Sequence, residues 1–141
     1  MLLELAQKRT DDATRRLGHL NKAKLNAEQQ LSMLYDYRQD YLNRLQDAMS
    51  QGMSAADCQN YQRFIATLDD AISQQSTVAA KADTQLEGGR TMWQQERRKL
   101  NSFDALAQRE QRSLAITEGR REQRDNDEYA AQAIRRAGHT H

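Results

Sequence analysis

Taken as position a of a heptad, Leu3 opens a series that alternates leucine with polar residues: Leu3, Thr10, Leu17, Lys24, Leu31, Arg38, Leu45. The matching d series, Ala6, Ala13, Leu20, Ala27, Leu34, Tyr41 and Ala48, is apolar or aromatic throughout. A stripe sustained over this many heptads predicts a coiled-coil helix over about residues 2–50. A second register begins after a break. Its a series runs Cys58, Ile65, Ile72, Ala79, Leu86, Trp93, Leu100, Ala107, Leu114, apolar at every step, while its d series is rougher: Tyr61, Leu68, Gln75, Ala82, Gly89, Glu96, Phe103, Glu110. This predicts a second helix over about residues 55–118.

Between the registers lies MSQGMSAAD, with a turn expected at about residues 51–54. Gly52 can take the left-handed conformation that ends a helix. Ser54 can cap the next one, with Asp57 three residues on in a box-like position. Two long helices joined by so short a turn fold back on each other, placing Leu31 beside Ile72, Leu17 beside Leu86 and Leu3 near Leu100. The expected fold is therefore all-α: a long two-helix antiparallel coiled coil, a single domain over residues 1–141, with a C-terminal helical overhang. About 50 residues at ~1.5 Å each make an arm of roughly 75 Å.

Gly88-Gly89 interrupts the second helix at a cost of roughly 1–2 kcal/mol against two alanines. It marks a close helix contact or slight bend, or alternatively a hinge. The heptad is lost from Leu114, and residues 119–141 are expected to be a mobile or short helical tail. Within it DNDEYAAQAIRRAG could form a last helix, capped by Asp125 and ended by Gly138. Its short apolar face of Tyr129, Ala133 and Ile134 suggests docking onto another protein.

Composition agrees with long helices. There is no proline, 38% of residues are hydrophobic, 29% are charged, and the net charge is +1. That charge gives no general pull toward nucleic acid or anionic lipid. The basic clusters Arg97-Arg98-Lys99, Arg120-Arg121 and Arg135-Arg136 are interleaved with carboxylates and carry no nucleic-acid motif, which reads as a solvated helix face. The lone Cys58 cannot form an internal disulfide and, at an a position, is expected to be a buried, inert thiol. No apolar run approaches the ~18 residues of a membrane span, and MLLELAQKRT lacks the features of a signal peptide. Cytoplasmic residence is the expectation.

Candidate chemistry is sparse. LEGGRTMW lacks the spacing of a phosphate-binding loop. His19, His139 and His141 form no metal set, and the carboxylates lie on solvated helix faces. A non-enzyme without cofactor or metal is expected.

The aromatic residues are unevenly spread. Tyr35, Tyr37, Tyr41, Tyr61 and Phe64 crowd around the turn. In an antiparallel pair the g edges share one side, and Tyr37 and Phe64 are both g positions. The g and d positions give two matched stripes, Gln30, Leu34, Tyr37, Tyr41 and Phe64, Leu68, Ala71, Gln75, with Tyr37 expected across from the Phe64–Leu68 segment. Such a flank either thickens the seam or forms a contact surface anchored by tyrosine.

AEQQLSMLYDYRQDYLNRL, the turn and NYQRFIATLDDAISQQ resemble the FliJ family of bacterial flagellar type III export proteins, supported by LLELAQKRTDDATRRLG and DEYAAQAIRRAG. The match covers most of the chain, with residues 76–120 matching mainly in heptad character. The resemblance implies a two-helix antiparallel coiled coil similar to the central stalk of rotary ATP synthases. It also implies a non-enzymatic adaptor that contacts the hexameric export ATPase FliI, the cytoplasmic domain of the export gate protein FlhA, and export chaperones. Membrane association would be peripheral, through the export apparatus. The gate contact would use both stripes named above. Leu5, Lys8, Arg9, Asp12, Tyr129, Ile134, Arg135 and Arg136 are the candidates for the ATPase end. Three alternatives stand beside this reading: the equivalent stalk of a virulence secretion system, a nucleic-acid-binding hairpin, and pairing of the same heptads between two chains.

Overall fold

The computed structural model describes residues 1–138. It contains two helices, α1 (Leu2–Ser50) and α2 (Ala55–Gly138), packed on each other as an antiparallel hairpin. The turn forms as its residues dictate. Gly52 has φ 86°, a conformation that costs glycine little, and its N–H donates to the Met49 carbonyl at 3.3 Å. The Ser54 hydroxyl accepts from the Asp57 N–H at 3.2 Å, satisfying one of the free donors that open α2.

The chain divides into two compact units. The larger is Lys8–Glu96. Its seam buries Ala13 and Ala27 from α1 with Ile65, Leu68, Ile72, Ala82 and Leu86 from α2, all a or d residues. Leu86 is the most enclosed, at 1% exposure.

Seam positions that break the apolar pattern are satisfied across the pair. Gln75 donates its amide to the Ala27 carbonyl at 3.1 Å. Buried Thr10 donates to the Glu96 carbonyl at 3.3 Å. Lys24 meets Asp83 at 3.1 Å, and Arg38 is hydrogen-bonded to Asp69. Each polar a residue of α1, Thr10, Lys24 and Arg38, thus has a polar partner on α2. The ion pairs of Lys24 and Arg38 hold the two helices together on either side of Leu31.

The Gly88-Gly89 pair sits within unbroken helix. At Gly88 an added Cβ would meet open space. At Gly89 it would lie 2.5 Å from Leu20 Cδ1. Gly89 therefore lets α1 come close, whereas Gly88 faces outward.

The smaller unit comprises Met1–Gln7 and the chain from Arg97 onward. Ala6 is buried in it, and Leu3, Leu100, Phe103 and Ala107 are half-buried. From Gln108 to Ala130 every residue is exposed. The heptad fades near Leu114, yet α2 runs on to Gly138, so Asp125 lies inside the helix and caps nothing. Backbone hydrogen bonding does not need a seam. Here a run rich in Ala, Arg, Gln and Glu favours helix, with side-chain pairs such as Gln123 to Asp127 at 3.2 Å adding to it. No helix among the described residues is long and apolar enough to cross a membrane.

Candidate interaction surfaces

Near the turn, half-buried Tyr41 organises the aromatic group. Its ring lies 4.2 Å from that of Phe64 and 6.3 Å from that of Tyr61, both tilted, and the Arg44 guanidinium stands 5.2 Å over it. Rings in this range attract beyond their buried area, and a cation over a ring face adds to that. The ring against Phe64 is that of Tyr41, and Tyr37 follows one turn earlier on α1. Tyr37 lines a shallow apolar depression of about 260 Å³ with Gln30, Met33, Leu34 and Gln75. Gln75 is held there by its bond to Ala27, which helps fix the floor.

The two stripes are not equally accessible. Tyr37 is 52% exposed and Phe64 41% exposed, whereas Leu68 is buried in the seam at 8%. Gln30 is exposed; Leu34, Tyr41, Ala71 and Gln75 are half-buried. The residues able to touch a partner with most of their side chain are Gln30, Tyr37 and Phe64, with the others beneath or beside them. Met33, at 51% exposure, belongs to this surface and was missed by reading g and d positions alone. It occupies a c position, which adjoins g on the helical wheel, so a c/g/d reading would have found it. Tyr35 lies at an e position on the other flank, beside Arg38. The hydrogen bond from Arg38 to Asp69, followed by the attraction of that carboxylate, raises the guanidinium pKa above its ordinary value.

In the smaller unit Leu5, Tyr129 and Ile134 are exposed, the last two by 75% and 72%, as are Arg135 and Arg136. In the larger unit Lys8, Arg9 and Asp12 are exposed, with Asp12 paired to Arg15 at 3.1 Å. Cys58 is half-buried, so the fully buried thiol expected at this a position is only partly enclosed. Near the turn the next a residue, Ile65, is the first of α2 to be buried. His19 is exposed, and His139 and His141 lie outside the described residues. Among the described residues no group of three or more His, Cys, Asp or Glu could hold a metal ion.

Two long helices packed on each other define an all-α coiled-coil hairpin protein. The model of the flagellar FliJ protein family matches residues 1–139. The chain is 33% identical over 135 residues to the flagellar FliJ protein of Escherichia coli (strain K12), covering 96% of this chain and 92% of that protein. It matches the flagellar FliJ protein of Salmonella typhi to the same extent. The chain belongs to the flagellar FliJ protein family.

Proposed function

We propose that this protein is a non-enzymatic stalk and adaptor of the flagellar type III protein export apparatus. It links the export ATPase FliI to the cytoplasmic domain of the export gate protein FlhA and serves export chaperones. It acts in the cytoplasm and reaches the membrane only through the apparatus. Family membership supports the flagellar system over a virulence injectisome.

The observation that carries the gate assignment is the exposed Tyr37–Phe64 flank with its adjoining depression. Gln30, Tyr37 and Phe64 make the outer contact. Leu34, Tyr41, Ala71 and Gln75 contribute their half-exposed edges, and Leu68 holds the surface from below. Tyr129, Ile134, Arg135 and Arg136, with Leu5, Lys8, Arg9 and Asp12, are the proposed contacts for the ATPase. Exposed apolar side chains beside guanidinium groups suit a partner with a mixed apolar and acidic lining.

Calorimetry of the full chain with the gate domain tests the first assignment. Tyr37→Ala and Phe64→Ala should each weaken binding at least about tenfold while helicity is kept. Unchanged affinity for both variants overturns the gate face. Tyr129→Ala with Ile134→Ala should weaken capture of the ATPase and leave gate affinity unaltered.

A further inference from the structure

We propose that a second docking groove lies on the larger unit, between α1 around Arg16 and Leu20 and α2 from Val78 to Met92, and that it receives an acidic amphipathic helix of another protein. The g positions of α2 read Phe64, Ala71, Val78, Gln85, Met92. Val78 is 51% exposed and Met92 49% exposed, where an ordinary two-helix rod would carry charge. Arg16, Leu20, Gln85, Gly88, Gly89 and Met92 line one depression of about 490 Å³. Its floor is low because Gly88 and Gly89 bring no side chains. Phe64, Val78 and Met92 recur every two heptads, about 21 Å apart on a straight helix, which matches the spacing of seam residues on a third helix.

Charge selects the occupant. From Arg16 to Tyr37 and from Phe64 to Met92, the c and g positions hold no carboxylate; their charges are Arg16 and Lys81, with the imidazole of His19. The e and b positions opposite hold Glu28, Asp69, Asp83 and Glu87 with Arg90, and there the carboxylates are paired with Lys24, Arg38 and Arg90. A helix edged with carboxylates is drawn to the first flank, where Arg16 and Lys81 meet no carboxylate at c or g. It gains nothing on the second, where the cations are already paired. A second copy of this chain would bring Arg16 and Lys81 against their own kind. Val78 and Met92 lie outside the residues assigned to the gate, so failure here leaves that assignment standing.

Binding is read by calorimetry of the full chain, because Trp93, next to Met92 in sequence, turns its indole N–H to Thr14 on the opposite flank at 3.0 Å. The probe is a synthetic tryptophan-free helical peptide with leucine at a and d and glutamate at e and g; a lysine-edged peptide is the comparison. The glutamate peptide should give a saturable isotherm and bind the full chain at least tenfold tighter than the lysine peptide. Val78→Glu or Met92→Glu should weaken it at least tenfold with circular dichroism unchanged, and Gln85→Glu, at an exposed position, should do so with less risk to the fold. Arg16→Glu with Lys81→Glu should invert the preference. The proposal is overturned if the two peptides bind alike, if neither binds, if the variants change nothing, or if light scattering shows the chain pairing with itself through this face.

Discussion

Gly89 and Leu20 share the room of a single methyl group: a Cβ on Gly89 would stand 2.5 Å from Leu20 Cδ1, with Leu17 Cδ1 at 3.7 Å. The neighbouring Gly88 has open space at the same place. Two adjacent glycines with equal helix propensity thus differ in what surrounds them.

Gly88→Ala should stabilise the protein by about 0.5–1 kcal/mol, the gain expected from replacing glycine in a helix interior. Gly89→Ala gains the same propensity but must push Leu20 aside, and overpacking costs about 1–3 kcal/mol. Its net effect should be destabilising. Urea unfolding of the two variants side by side checks the opposite signs.

Leu86→Ala should cost about 2–5 kcal/mol, because it empties the most enclosed position of the seam. Leu114→Ala, at a residue 58% exposed, should stay within about 0.5 kcal/mol. Thermal melts followed by circular dichroism separate them.

Leu68 and Tyr37 belong to the same proposed surface but should fail differently. Leu68→Ala should lower the melting temperature and partner affinity together, since that side chain is buried. Tyr37→Ala should lower affinity with little change in melting. If both variants melt alike, Leu68 is not the support that its burial implies.

The Arg38–Asp69 pair should show itself through salt rather than through pH. The raised pKa of Arg38 means that its stabilising effect is fully present below the unfolded arginine value and lost only as pH rises through the higher folded value. That window lies above ordinary working pH. Arg38→Gln should instead lower stability at low ionic strength, with the deficit against the parent chain shrinking as salt screens the exposed pair. A melting-temperature difference constant from low salt to ~1 M would argue against it.

Much of this architecture can be read from residue order. The leucine and alanine stripes specify α1, the unbroken apolar a series specifies α2, and Gly52 with Ser54 specifies the reversal. Lys24, Arg38 and Gln75 look like flaws in the pattern because their compensation is non-local; their partners Asp83, Asp69 and Ala27 become visible only when the helices are paired. The run after Leu114 carries no legible stripe for a related reason. Heptads report packing, and a helix held by local propensity leaves no heptad to read. At the candidate site, the g and d stripes put Tyr37 and Phe64 on one flank. They did not separate exposed Tyr37 from buried Leu68, because a heptad letter gives a direction and not a depth. Met33 escaped because c positions are usually solvent-facing in a two-helix pair.

The Ser50-to-Ala55 reversal also governs how such a protein can change length. Because the reversal fixes which levels of the two helices meet, one residue added inside α1 would turn every side chain beyond it by about 100°, parting Leu86 from its neighbours. Seven residues added to each helix at matching levels would preserve the phase. Growth and shrinkage of the seam are therefore quantised in paired heptads.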